Sequence, residues 1–322
     1  MQCDSYDKIA TAIREGKQTM KIRPNRIKRG DTVGLVALSS PLKMEQLKVK
    51  IDFIESMGLH YKLGQTIGMP AGMLAGTDEE RLEDLHTMIQ DPEIKAIFCV
   101  RGGYGIGRIA DKIDYQLIEE NPKIIWGFSD VTYLHTTVNE FSDVVTFHGP
   151  MLSNGGDSLD ELSAKMFQQL FTPIEIQYSE MISPLETLSG GVVRGELTGG
   201  NLNRLVSTLG TKFEFDARGK IILLEDIDES LGRIDGLMNQ LRLARKLEQA
   251  AGFIIGSFTK LSDGETYDQV LDIMREYLVP LQKPVVARFN IGHCKPNIGI
   301  PLGVDAILDA DEKVLRILPG VQ

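Results

Sequence analysis

The sequence predicts an α/β protein built on a parallel sheet, and three observations carry the prediction. Short apolar runs, among them Val33–Leu38, Ile124–Trp126 and Ile221–Leu224, alternate with segments of helical periodicity, the pattern of βαβ units. Several of these runs end at a glycine or a polar residue, the place where open parallel sheets bind ligands. At 322 residues the chain has room for about two domains of ~150 residues, each with its own core.

The elements follow in order. Val33–Leu38 leads through Ser39-Ser40-Pro41 into an amphipathic helix with Met44, Leu47, Ile51 and Ile54 on one face, ended by Gly58. Thr77-Asp-Glu-Glu80 is a capping box that opens a helix running to about Gln90, and Asp91-Pro92 then breaks to a strand at Ala96–Val100. A further strand at Ile124–Trp126 runs to Gly127 and a helix. A helix near 159–170 closes this half, and residues 172–189, with Pro173 and Pro184, read as a linker. The second half, 190–322, brings strands at Ile221–Leu224, Phe253–Ile255 and Val285–Arg288. Its helices are one capped by Ser230 and one near Tyr267–Leu278, and a hairpin around Asp311 follows. Residues 1–19 carry no strand pattern, and Met20 opens a segment that reads as a protein start. The expectation is an N-terminal extension over 1–19 and a first domain over 20–171.

Composition narrows the function. A net charge of −10 argues against nucleic acid, whose binding rests on Lys and Arg neutralising phosphates. No apolar run approaches the ~20 residues that span a bilayer, and the N-terminus shows no secretory pattern. Cys3, Cys99 and Cys294 are far apart without a Cys-x-x-Cys, as expected of reduced thiols in a cytoplasmic protein. His60, His86 and His135 lack metal-ligand spacing.

Three polar residues fall where strands end. Ser129 follows Gly127 at a strand-to-helix junction, either as a nucleophile on a tight turn or, more commonly at such a position, as a helix cap. Glu225 follows the apolar strand Ile221–Leu224, and His293 lies just past the strand that begins at Val285. Serine, carboxylate and histidine converging on one cleft are nucleophile, orienter and general base for acyl transfer. Val131 stands where a Gly-x-Ser-x-Gly elbow needs its second glycine, which argues against the α/β-hydrolase fold. Asp226 to Glu229 reads as a solvated face. The segment Arg101-Gly-Gly-Tyr-Gly-Ile-Gly-Arg-Ile-Ala110 has two readings. Gly105-x-Gly107-x-x-Ala110 mimics a dinucleotide fingerprint, the basis for an alternative oxidoreductase or ligand-binding module. Alternatively, Gly102-Gly103 offers a backbone N–H to an oxyanion. Arg101 suits a substrate carboxylate as a guanidinium fork. Tyr104 beside it, and His148 in Phe147-His-Gly-Pro150, are further candidates for substrate contact.

Together the motifs resemble the LD-carboxypeptidase family of serine peptidases, which includes microcin C immunity-type members. From Met20 onward the matching pieces include Gly30-Asp-Thr-Val-Gly34, Ala75-Gly-Thr-Asp-Glu-Glu-Arg81, Arg101-Gly-Gly-Tyr-Gly105 and Gly127-Phe-Ser-Asp-Val-Thr132. Phe147-His-Gly-Pro150, Gly199-Gly-Asn-Leu202, Leu224-Glu-Asp226 and Gly292-His293 continue the series. The resemblance implies a flavodoxin-like N-terminal domain with a parallel sheet and a C-terminal β/α domain, with the active site between them. It also implies Ser129 as nucleophile, Glu225 as triad acid, His293 as base, and the N–H groups of Gly103 and Asp130 as the oxyanion hole. The implied reaction removes terminal D-alanine from muropeptide tetrapeptides in peptidoglycan recycling, without metal or organic cofactor. A cytoplasmic homodimer acting on small peptides is implied too, and the same chemistry serves members that destroy a toxic peptide–nucleotide conjugate.

Overall fold

The computed structural model of the protein describes residues 21–153 and 156–322. The extension expected over 1–19, the start expected at Met20 and Cys3 lie outside the described residues.

The first half is laid down as β1 (Thr32–Val36), β2 (His60–Leu63), a small hairpin of β3 (Pro70–Ala71) and β4 (Leu74–Ala75), then β5 (Ile94–Cys99), β6 (Ile124–Gly127) and β7 (Thr146–His148). Helices Leu47–Ser56, Asp78–Gln90, Tyr115–Glu120 and Thr132–Phe141 join them. The helix Asp78–Gln90 starts with the expected capping box, Thr77 accepting from the Glu80 N–H and the Glu80 side chain accepting from the Thr77 N–H. The second half adds β8 (Ile176–Tyr178), β9 (Glu186–Ser189), β10 (Val192–Asn201), β11 (Ile221–Ile227), β12 (Gly252–Thr259) and β13 (Val285–Ala287). It ends with β14 (Ile300–Leu302), β15 (Asp305–Asp309) and β16 (Val314–Ile317).

Two sheets result. The first has the order β14-β7-β6-β5-β1-β2, parallel except for β14. Without β14, the order of the main strands is that of a flavodoxin-like sheet, whose ligand site falls where the winding reverses. Here the reversal lies between β1 and β5. The second sheet runs β8-β16-β15-β10-β11-β12-β13-β9, with β10 to β13 parallel and the flanking strands antiparallel. Burial follows this plan: β5, β6, β11 and β12 are almost wholly buried, as strands covered on both faces must be.

Two expectations change. The segment read as a linker, 172–189, contributes β8 and β9 to the second sheet, because its prolines fall outside those strands. And β14, from the second half, completes the first sheet beside β7, with Ile300 opposite His148. The helix expected near 159–170 is a short α-helix, Glu161–Lys165, continued by a 3₁₀ segment, Met166–Leu170. Among the described residues, no helix is long and apolar enough to cross a membrane.

Candidate active site

The loops after β1, β5 and β6 gather at the carboxyl end of the first sheet, on either side of the winding reversal. Ser129, directly after β6, adopts φ +67°, in the left-handed region that costs a side-chain-bearing residue ~1–2 kcal/mol. The residue is not a cap: neither the 3₁₀ turn Ser129–Val131 nor the helix Thr132–Phe141 takes a side-chain cap. Strain of this kind persists where the surroundings hold it, and it lifts the hydroxyl out of the strand-to-helix turn.

The glycine turn after β5 lies against that serine. A Cβ on Gly102 would sit 2.9 Å from Ser129 Cβ, and one on Gly103, at φ +115°, would sit 2.8 Å from Ser40 Cβ. Only glycine permits this approach. Among the described residues, neither the Gly103 nor the Asp130 N–H makes a backbone hydrogen bond, which leaves both as donors. The Asp130 side chain is buried and fastens three segments together. It accepts from Ser39 Oγ (2.8 Å) and from the Ile106 N–H (3.0 Å), and it pairs with Arg204 Nε (3.2 Å). Burial pushes its carboxyl upward against these donors. Arg204 also donates to the Gly103 carbonyl at 3.3 Å and lies over the Tyr104 ring.

The second sheet supplies the other partners. Glu225, near the end of β11, is completely buried, and its Oε2 lies 2.7 Å from His293 Nδ1. Burial alone would raise the Glu225 carboxyl; the imidazoles of His293 and His148 overcome it and hold the group near 2. Burial alone would lower His293, but Glu225, aided by Asp226 and Asp228, raises it above the ordinary imidazole value. The pairing needs a glycine at 292: with φ +111°, a Cβ there would fall 2.8 Å from Glu225 Cδ. Phe128 packs its ring on His293, centroids 4.7 Å apart. The sheets are joined beside the serine, where the Asn201 N–H donates to Thr132 Oγ1 (3.0 Å) past Gly200.

Ser129, Gly102, Gly103, Arg101 and His293 line one cleft of about 430 Å³. Arg101 is exposed there and forms no ion pair among the described residues. Tyr104 is 42% exposed and supports Arg204 from outside that lining. The His148 ring, expected among the substrate contacts, is instead completely buried behind Glu225. Asp226 is 2% exposed, where a solvated residue was expected. It accepts from Asn201 Nδ2 (2.7 Å), the Asn203 N–H (2.9 Å) and the Ile227 N–H (2.9 Å). Burial and the neighbouring Glu225 push its carboxyl to about 7. The dinucleotide reading also fails, since Gly105 to Ala110 leads into two 3₁₀ turns, Ile106–Arg108 and Ala110–Lys112, and no α-helix points at a pyrophosphate. Sequence reasoning gave Arg204 no role and misplaced Asp226 on a solvated face; the Gly199-Gly-Asn-Leu202 and Leu224-Glu-Asp226 motifs were the signals near them.

A strained serine opposite a carboxylate-bound imidazole, on a frame without the α/β-hydrolase elbow, sets the class as a serine hydrolase of two α/β sheets. Comparison with known proteins takes this further. The model of the LD-carboxypeptidase N-terminal domain matches residues 33–149, and that of the C-terminal domain matches 194–308. A probable murein peptide carboxypeptidase of Bacillus subtilis is 43% identical over 314 residues, 95% of this chain and 98% of that one. The murein tetrapeptide carboxypeptidase of Pseudomonas aeruginosa is 31% identical over 87% of this chain and 93% of its own length. Among solved structures, a microcin C7 self-immunity protein in complex with adenosine monophosphate superimposes with TM-score 0.85 at 25% identity, covering 92% of this chain and 98% of that one. A muramoyltetrapeptide carboxypeptidase from Oxalobacter formigenes gives 0.78, over 89% of this chain and 97% of that one, a likeness of fold. The chain belongs to the LD-carboxypeptidase family and is a serine carboxypeptidase.

Proposed function

We propose that the protein releases the terminal D-alanine of murein tetrapeptides, cutting the bond between an L-centre and D-alanine. The His293 Nδ1–Glu225 Oε2 contact of 2.7 Å, on the cleft that Ser129 lines, is the observation that carries the reading. Ser129 Oγ attacks the scissile carbonyl while His293 Nε2 takes its proton, and Glu225 holds the ring and its charge. The Gly103 and Asp130 N–H groups receive the oxyanion, each donor worth ~3 kcal/mol in sites of this kind. His293 returns the proton to the departing D-alanine nitrogen, and a water activated by the same imidazole hydrolyses the acyl-enzyme. Arg101, free at the cleft wall, binds the substrate's terminal carboxylate as a bidentate fork.

In this reading residues 20–171 supply the nucleophile and 190–322 the acid and base. A cytoplasmic location and a homodimer belong to the same proposal and rest on the family resemblance. Incubation with defined lysine- and diaminopimelate-containing tetrapeptides, with released D-alanine measured, tests the function; Ser129→Ala is expected to abolish release in a folded protein. Sedimentation tests the dimer. Cleavage of a peptide–nucleotide conjugate would use the same residues. The chain's single tryptophan, Trp126, is buried in β6, and Asp228 and Glu229 on the cleft wall oppose a phosphate, which favours the murein peptide.

A further inference from the structure

β7 ends in His148, and the position of this residue in the fold is unusual. Its ring is completely buried, and neither ring nitrogen has a hydrogen-bond partner. An imidazole carries at least one N–H, and leaving a buried donor unmade costs ~1–3 kcal/mol. The polar atom it faces is Glu225 Oε1, 3.8 Å from Nε2, and that oxygen is equally buried and equally without a partner. A donor and an acceptor are thus orphaned opposite one another, about 1 Å beyond hydrogen-bond length. The gap lies between the two sheets. His148 is fixed in the sheet that bears Ser129, between Gly127 of β6 and Ile300 of β14. Glu225 belongs to the sheet that presents His293.

We propose that His148 is a positioning residue for Glu225, its Nε2–H donating to Oε1 when the sheets tighten on substrate, so that the Ser129–His293–Glu225 relay gains a fourth member from the nucleophile's own sheet. The inference rests on the triad reading above. Hydrogen bonds of catalytic groups are often long before substrate binds and shorten in the complex. The mechanical reason is plain. With Oε2 alone engaged, the Glu225 carboxylate can turn about its terminal torsion and release the imidazole. A second donor on Oε1 fixes the carboxylate plane, and with it the direction of His293 Nε2 toward Ser129. Partners of this kind, one step removed from the reacting group, are typically worth 10–100-fold where they orient metal-bound histidines, and the same logic applies to a carboxylate-bound one.

The groups around His148 are few. Phe128 meets its ring edge-on at 5.8 Å, and His135, from the helix Thr132–Phe141, lies 6.3 Å away. Burial drives the His135 imidazolium down to about 3, so it is neutral at working pH, and its Nε2 is already engaged by the Gly127 carbonyl at 2.8 Å. Glu225 is the charge facing His148, with His293 and Asp226 beyond it.

The test compares His148→Gln, His148→Asn and His148→Phe in the full-length enzyme, reading kcat/KM for D-alanine release against pH, with circular dichroism as the check of folding. A Gln amide nitrogen reaches where Nε2 sits; that of Asn does not. Asn and Phe are expected to lose on the order of 10–100-fold in kcat, with KM little changed. Their acid limb is expected to move to higher pH, because Glu225 then shares its charge with His293 alone. Gln is expected to recover most of the rate and the wild-type limb. A folded Phe variant with the wild-type profile would overturn the proposal, as would a Gln variant as slow as Asn with the limb unmoved. Should Phe fail to fold, the Gln–Asn pair decides. Ser129→Ala, run in parallel, separates the two levels: if it still releases D-alanine, the triad reading falls; if it is inactive while the His148 variants behave as wild type, only the fourth member falls.

Discussion

Substitution of Gly103 by alanine tests the oxyanion assignment at the point where geometry is least forgiving. The new Cβ would lie 2.8 Å from Ser40 Cβ and closer still to its hydroxyl oxygen, while φ is +115°. Backbone strain contributes ~1–2 kcal/mol, and relief of the overlap ~1–3 kcal/mol in typical overpacked sites. The loop has to move to relieve it, and its N–H moves as well. Loss of one such donor lowers kcat by about 10²–10³. Gly30 supplies the control: its φ is +91°, but nothing lies within 4 Å of an added Cβ, so Gly30→Ala carries strain without collision. Thermal unfolding and D-alanine release from a defined tetrapeptide are the two assays. Gly103→Ala is expected to lose both stability and about 10²–10³ in kcat at nearly constant KM, whereas Gly30→Ala loses only stability. Wild-type kcat in a destabilised Gly103→Ala protein would refute the assignment of its N–H to the oxyanion.

Other perturbations report on the remaining parts of the site. Ser129→Gly relieves the positive φ that Ser129→Ala retains, so both are expected to be inactive, with the glycine variant more stable by ~1 kcal/mol in thermal unfolding. In the proposed mechanism neutral His293 is the base, so kcat/KM is expected to fall below a midpoint higher than the ordinary imidazole value of 6.5, and a midpoint under 6.5 would contradict the raised His293. The same pair sets a stability window by linkage. The contribution of His293 is complete below its unfolded value and lost as pH rises through the raised folded one; that of Glu225 is present above 4.5 and lost as pH falls toward about 2. Denaturant midpoints measured across that range check both limbs. Arg101→Lys is expected to raise KM for free-acid tetrapeptides more than for C-terminally amidated ones, and equal effects on both would remove Arg101 from carboxylate recognition.

The parts legible in the sequence were those written locally. Ile221–Leu224 and Ile124–Trp126 are continuous apolar runs, the first ending directly at Glu225 and the second at Gly127, two residues before Ser129, so strand and strand end could both be read. β10 could not, because Val192–Asn201 mixes charges, threonine and three glycines and owes its strand to pairing with β11 and β15. β7 and β14 are three residues each; β7 is held by β6 and β14, and β14 by its pairing with β7. Glu225 and His293 could be picked out because strand ends converge in such sheets, and the two lie 2.7 Å apart. The orientation of His148 and the burial of Asp226 depend on partners far along the chain, Glu225 for one and Asn201 and Asn203 for the other. No local pattern encodes such distances.

β14 ties closure of the first sheet to the end of synthesis. The strand that flanks β7 lies some 150 residues downstream of it, just past the histidine loop. A ribosome making this chain therefore releases Ser129 and its glycine turn long before Glu225, His293 and the closing strand exist. Throughout that interval the nascent sheet ends at an open β7, an edge that invites pairing with foreign strands. It also presents Ser129 with neither Glu225 nor His293 beside it. That edge closes only when Ile300–Leu302 docks beside His148, near the end of synthesis.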